Sequence, residues 1–264
     1  MELALGAMPQ NLMNEAPNRM TPMTLGDHVP VELADLAARL LEETATLGGQ
    51  LHPVTLTSLA DLVRMMNCYY SNLIEGHPTR PADVDATLRG STPDQAAAIA
   101  ADPERLRLLD LSLAHIDAQR WIDDLHMGGI LLDPASTVFV CEVHRRFYSG
   151  LPPHFREIRK TPADPVQRMM EAGLVRRGGQ EVGVGRHQPP SGGEPVEVFM
   201  AAYATEYSAL RRPRYGRAQR LFGIAAAHHR LLYIHPFDDG NGRVARLVTH
   251  AITRTSGWPT LHGR

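Results

Sequence analysis

The stretch Ile234-His235-Pro236-Phe237-Asp238-Asp239-Gly240-Asn241-Gly242-Arg243-Val244-Ala245-Arg246 decides how the rest of this chain is read. An imidazole titrates near neutral pH, so His235 can take a proton from an attacking hydroxyl. Asp239 offers a hard carboxylate oxygen to Mg²⁺, which prefers one or two carboxylates plus substrate phosphates. Gly240 and Gly242 carry no Cβ, so the backbone can curl and turn its N–H groups toward an anion. A helix starting near Arg243 would add its positive end to that cradle. Arg243 and Arg246 can then clamp distal phosphates in a bidentate manner. These are the parts of a phosphoryl-type transfer, gathered in one short run.

Plainer readings fit less well. Gly240-x-Gly242-x-x-Ala245 also satisfies a dinucleotide-binding pattern, but that needs a strand before it and an acid about twenty positions later. The preceding Ala218 to Tyr233 is Ala- and Leu-rich with helical spacing, and the chain ends before such an acid. A buried histidine in a glycine-rich loop explains none of the spacing. His228 and His229 read as helix residues near the loop, because no i, i+4 histidine pair with a carboxylate accompanies them.

At every fixed position the stretch resembles the Fic family motif HPF-x-[D/E]-GNGR-x-x-R. The resemblance implies an all-α, Fic-type helical bundle with a small β-hairpin flap. It also implies transfer of AMP from ATP, with Mg²⁺, to a Ser, Thr or Tyr hydroxyl of a target protein. The family's catalytic histidine maps to His235 and its metal acid to Asp239. Its anion-hole and α-phosphate contacts map to Gly240, Asn241 and Gly242, and its distal-phosphate arginines to Arg243 and Arg246. Phe237 maps to an apolar anchor of the loop. Transfer of UMP or phosphocholine, and removal of AMP from a modified protein, stay open on the same site. A regulatory binding module is the non-enzyme alternative, and the unbroken motif speaks against it.

Upstream, Ser71-Asn72-Leu73-Ile74-Glu75-Gly76 places Ser71 and Glu75 at i and i+4, on one helix face. Gly76 suits a left-handed cap. A glutamate at a helix carboxyl end opposes the dipole, so a tertiary partner is expected, and Arg246 is the obvious one. The run resembles the family's inhibitory motif [S/T]-x-x-x-E-[G/N], which implies that Glu75 occupies the arginine meant for the γ-phosphate. The brake would then lie ahead of the catalytic core in the same chain, and a homodimer controlling Glu75 fits the family.

Around these motifs the chain reads as helices. Val31 to Leu47 is amphipathic and is stopped by Gly48-Gly49. Pro53 opens a second helix, the inhibitory one (53–76), and Arg80 to Leu88 and Pro103 to Met127 follow. Asp133-Pro134 caps a helix running to Tyr148. The run Glu181 to Pro190 is too rich in glycine, valine and proline for a helix and predicts a hairpin from near Val175 to about Pro190. The family places there a flap that pairs with the target as an added strand, and Val182, Val184 and His187 are the candidate docking residues. Residues 1–30 read as a flexible leader, 31–128 as a helical region carrying the brake, and 129–264 as the catalytic core. Relatives usually continue with a helix lining the adenine and ribose pocket, so the core is expected to be truncated at its carboxyl end.

Composition sets outer bounds. The 264 residues are 43% hydrophobic and 21% charged, the balance of a globular protein. A formal charge of −2 gives no reason to expect nucleic-acid binding. Cys68 and Cys141 are too few for a disulfide scaffold and read as free thiols of a cytoplasmic protein. No apolar run reaches the ~18 residues of a membrane span.

Overall fold

A computed structural model describes residues 29–159, 164–180, 182–183, 187–211 and 215–257. Residues 1–28 of the leader, Val184 and the carboxyl-terminal seven residues therefore lie outside the described residues. The helices are α1 (Val31–Gln50), α2 (Pro53–Ile74), α3 (Pro81–Arg89), α4 (Pro93–Ala100), α5 (Pro103–Met127), α6 (Thr137–Ser149), α7 (Glu194–Tyr207), α8 (Arg217–Ile234) and α9 (Asn241–Thr255). The ladder among the described residues is β1 (Glu157–Ile158) antiparallel to β2 (Arg168–Met169), with Glu157 opposite Met169.

The helix starts follow local chemistry. α2, α3, α4 and α5 each open on a proline, whose fixed φ suits the first turn and whose missing N–H is not needed there. Thr92 and Gln95 form a reciprocal capping box on α4, and Asp102 accepts from the Arg105 N–H to cap α5. Two boundaries differ from the sequence reading. α1 runs through Gly48-Gly49 to Gln50. Glycine in a helix costs only ~1 kcal/mol, whereas Pro53 restricts the residue before it. α6 begins at Thr137, not at the Asp133-Pro134 pair. Asp133 is spent on a turn, accepting from the Ala135 N–H, and Ser136 caps the helix by accepting from Phe139 N–H at 3.2 Å.

Two apolar clusters meet on α5. The larger joins Leu111, Ala118 and Ile122 to Phe139, Val143 and Phe147 of α6, Met200 and Tyr203 of α7, Leu231 of α8 and Val244 and Leu247 of α9. The smaller joins Leu109 and Ile116 to Cys68 of α2, Val84 of α3 and Ile99 of α4. α5 is thus shared between α2, which carries Ser71, and the motif helix α9.

A buried charge cluster reinforces that junction. Asp123 of α5 accepts from Arg64 Nη2 of α2 at 2.9 Å and from His250 Nε2 of α9 at 2.7 Å, with Arg254 Nε at 3.6 Å. Helices α2, α5 and α9 are thus pinned at one carboxylate.

Part of the expected hairpin, residues 181 and 184–186, lies outside the described residues. The described part of Val175–Pro190 contains no ladder strand, only a single bridge at His187. Two described backbone bonds tie it to other segments: the Arg176 N–H to the Pro236 carbonyl, and the Arg176 carbonyl from the Gly193 N–H, both at 2.8 Å. The ladder at Glu157–Ile158 and Arg168–Met169 abuts the motif loop through Arg168, which pairs with Asp238 in a forked geometry (Nη2 to Oδ1 2.6 Å). No described helix is long and apolar enough to cross a membrane.

Candidate active site

The loop 235–240 joins α8 to α9 and is held from below. α8 stops at His235 because a proline disfavours the helical region for the residue before it. His235 is the one non-glycine at positive φ (50°) among the described residues. Such a conformation is uncommon outside glycine and is found where the surroundings over-determine it. Phe237 is fully buried and stacks on His144, ring centroids 3.9 Å apart. The Phe237 N–H donates to Asn241 Oδ1 at 2.9 Å, and Asn241 Nδ2 donates back to the Phe237 carbonyl at 2.8 Å. The side-chain amide of Asn241 is therefore spent on closing the loop. What it leaves for an anion is its backbone N–H.

That N–H belongs to an uncapped helix end. No side chain caps α9 and no acid lies in its first turn. The first-turn N–H groups and the dipole thus present a partial positive charge. Gly240, at φ 77°, brings the backbone against Tyr148: a Cβ there would stand 2.6 Å from the phenol oxygen. The same phenol donates to Asp239 Oδ2 at 2.8 Å. Burial, and then the Asp239 charge, push the Tyr148 pKa well above its usual value, so it remains a donor. His144 completes the support. Its Nδ1 accepts from the Gly173 N–H at 2.7 Å, which leaves Nε2, 3.3 Å from the Asp239 carbonyl, to carry the proton. Burial lowers its pKa to about 4 and keeps it neutral.

Asp238 and Asp239 have separated roles. Asp238 is committed to Arg168, whereas Asp239 accepts from Tyr148 through Oδ2 alone among its described carboxylate bonds. Among the described residues no cluster of three metal-ligating side chains exists. One free hard oxygen fits a Mg²⁺ ion that takes its other ligands from phosphates and water.

The electrostatics favour a base at His235. Burial lowers its pKa below the usual 6.5, and the charges of Arg176 and His187 add to that. A hydrogen bond to the Leu232 backbone and the Asp239 charge oppose it. The Leu232 bond engages one ring nitrogen and leaves the other to accept a proton.

Arg243 is buried, its guanidinium 5.6 Å from the centre of the Phe147 ring. Arg246 reaches α2, donating to Ser71 Oγ (2.8 Å), to the Ser71 carbonyl (3.1 Å) and to Glu75 Oε1 (2.5 Å). Gly76 takes the left-handed conformation at φ 78°. A Cβ on Gly242 would lie 2.1 Å from Glu75 Oε1. The Glu75 carboxylate therefore rests directly on the first turn of α9, between the cradle and the arginine.

Residue by residue, the structure brings His235, Asp239, Gly240, Asn241, Gly242, Arg243 and Arg246 together with Ser71, Glu75 and Gly76. His187 is also near: its Nε2 lies 2.8 Å from the Tyr233 carbonyl and its ring packs on Tyr233. Val182 is half-buried. Sequence reading missed Tyr148, His144, Arg168, Arg176 and His77. His77 follows the brake and sits 3.4 Å from Arg107, its pKa lowered by burial and by Arg243 and Arg107. Nothing in their local patterns marks these residues, since each acts through a contact distant in sequence.

The Fic/DOC family pattern matches residues 134–253, spanning α6 to α9. Over these residues the chain is similar to the Fic/DOC family. The protein adenylyltransferase Fic of Culex quinquefasciatus is 34% identical over 125 residues, which is 46% of this chain and 20% of that relative. Its namesake in Drosophila willistoni is 32% identical over 126 residues, again 46% of this chain and 20% of the relative. The match thus spans about a fifth of the length of these curated relatives. Among solved structures, a Fic domain-containing signaling protein from Bacteroides thetaiotaomicron aligns with TM-score 0.62 at 19% identity, covering 84% of this chain and 73% of that one. A Fic family protein from Desulfovibrio desulfuricans aligns with TM-score 0.56 at 18% identity, over 92% of this chain and 62% of that one. These two establish the fold.

Proposed function

We propose that this protein transfers AMP from ATP to a Ser, Thr or Tyr hydroxyl of a target protein and is held off by Glu75. The observation that carries the reading is one constellation: a base at the end of α8, an uncapped helix end six residues later, and a carboxylate seated on that end in place of a ligand. The carboxylate marks where an anion is stabilised.

In the reaction, the α-phosphate sits against the N–H groups of Gly240, Asn241 and Gly242, which stabilise the charge growing on its oxygens. Arg243 and Arg246 hold the distal phosphates once Glu75 has left Arg246. His235 accepts the proton of the attacking hydroxyl as its oxygen bonds the α-phosphorus and pyrophosphate leaves, a role its depressed pKa supports because the ring is neutral at physiological pH. Mg²⁺, held through Asp239, would neutralise phosphate charge. Tyr148 and His144 keep the Asp239 carboxylate and carbonyl in place. His187 and Val182, with Val184, are the proposed docking stretch for the target. The free thiols Cys68 and Cys141 support a reducing compartment, and we assign the activity to the cytoplasm.

Removal of AMP from a modified protein would need Glu75 free to position a water. Its bond to Arg246 supports the brake instead. The test is intact-mass analysis of wild type, Glu75→Gly and His235→Ala after incubation with Mg²⁺ and ATP. A single adenylyl adduct on Glu75→Gly alone is expected. Adducts only with UTP or CDP-choline would reassign the transferred group. No adduct with any donor, even with candidate target proteins added, would remove the transferase reading.

A further inference from the structure

We propose that Arg176 is a positioning residue that locks the base and the target-docking stretch into one register; the proposal rests on the transfer reading above. Arg176 is 2% exposed, and its guanidinium lies among backbone carbonyls of three segments. Nε donates to the His235 carbonyl at 2.8 Å, and Nη2 lies 3.4 Å from the Ile234 carbonyl. Its backbone N–H donates to the Pro236 carbonyl at 2.8 Å. Three consecutive carbonyls at the corner where α8 ends are thus engaged by one residue. These are carbonyls a helix end leaves without intrahelical donors, and a cation there also complements the helix dipole.

The other side of the guanidinium faces the docking stretch. Nη1 donates to the Gln180 carbonyl at 3.0 Å and Nη2 to the Pro190 carbonyl at 2.8 Å. Gln180 and Pro190 bracket Val182 and His187. The Arg176 carbonyl, accepting from the Gly193 N–H, adds the start of α7. Two faces of one planar fork therefore hold the left-handed His235 corner and both ends of the segment proposed to present the target. A lysine keeps the charge but not the planar fork, so it cannot serve these segments at once.

The consequence is specific. Arg176 touches neither phosphate nor target, so its loss should disturb the alignment of base and hydroxyl while sparing nucleotide binding. The groups facing the His235 ring are Arg176 and His187, which favour its neutral form, and Asp239, which opposes them.

Arg176→Lys and Arg176→Gln would be made in full-length protein carrying Glu75→Gly. For Arg176→Lys, a drop in kcat of order 10²-fold is expected with the KM for ATP changed by less than about twofold, the signature of misalignment. His235 ring titration, followed by NMR without turnover, should stay put in Arg176→Lys and move to higher pH in Arg176→Gln. An unchanged kcat in Arg176→Lys would overturn the proposal, as would kcat and KM worsening in step. An unmoved His235 titration in Arg176→Gln, or failure of both variants to fold, would reduce Arg176 to a structural residue. If the Glu75→Gly parent transfers nothing, the activity reading fails separately, and the ring titration still decides Arg176.

Discussion

Replacing Glu75 with glycine should raise both ATP affinity and transfer, and the size of the effect can be worked from the Arg246 contacts. Arg246 makes three hydrogen bonds to the end of α2, of which only the 2.5 Å bond to Glu75 Oε1 joins opposite charges. A hydrogen bond to a charged group contributes about 1.5–3 kcal/mol. The side chains are 22% and 31% exposed, which draws the value down toward that of a solvated pair. A bond of about 1–2 kcal/mol that a distal phosphate must displace weakens ATP binding by roughly 5–30-fold. Beyond affinity, the carboxylate stands where a Cβ of Gly242 would be, 2.1 Å away, so phosphates cannot settle fully on the first turn. Misplacement of that kind can cost ~10²-fold in rate. Calorimetric ATP titrations on a His235→Ala background, which blocks turnover, would isolate binding, and mass-resolved transfer rates with His235 intact would report alignment. Glu75→Gln, which keeps an acceptor for Arg246 without the charge, should fall between wild type and Glu75→Gly. Equal ATP affinity and equal transfer in wild type and Glu75→Gly would refute the brake.

His235→Asn should lower transfer by ~10²–10⁴, the worth of a general base, with an unchanged circular dichroism melt because asparagine tolerates the left-handed corner; retained transfer would mean another base. Stability should decline with acidification below the ordinary histidine pKa, because buried His144 and His115 titrate near 4 and 3 in the fold. Both folded values are lowered, so the stability they carry is complete above about pH 6.5 and is lost as pH falls through those values. Urea midpoints measured from pH 7 to pH 4 should therefore fall, and less steeply in His144→Gln; a flat profile would place both rings in water. Asp123→Ala leaves Arg64 and Arg254 facing each other in the core and should cost about 3–5 kcal/mol in chemical denaturation. A loss under 1 kcal/mol would mean that the cluster does not hold α2 to α9.

The parts of the site legible in the sequence are those that are contiguous. The run 235–246 shows its chemistry because base, cradle and arginines share one turn and one helix start. Ser71 and Glu75 show theirs because i and i+4 share a face. Helix starts were legible where proline or an acid sat at the cap, as at Pro53 and Pro103. The supports were not legible. Tyr148 reaches Asp239 across 91 positions and Arg176 reaches His235 across 59. Locally, Arg176-Arg177-Gly178-Gly179 reads as a solvated turn. Asn241 was legible as a motif member but not in its use, since a side-chain amide pairs with an anion or with a loop equally well in one dimension. α4 carried its capping box openly in Thr92 and Gln95, and α7 stood behind Gly192-Gly193, yet neither entered the helix assignment from sequence.

Brake and cradle are better understood as a single electrostatic unit than as an enzyme with an attached inhibitor. The end of α9 gathers unsatisfied N–H groups, the dipole, Arg243 and Arg246, with no acid of its own in the first turn. Such an end favours an anion whether or not a nucleotide is present. Glu75 lies beyond the last turn of α2, where the local dipole disfavours it, and on the first turn of α9, where the dipole favours it. Its cost on one helix is thus offset by the other, and the Asp123 cluster keeps the two helices close enough for the exchange. It follows that the brake stabilises the ligand-free fold by the same interaction through which ATP would bind. On the proposed reading, a nucleotide would compete with Glu75 for one charge site, and the inhibited state would be the form in which that site is filled from within the chain.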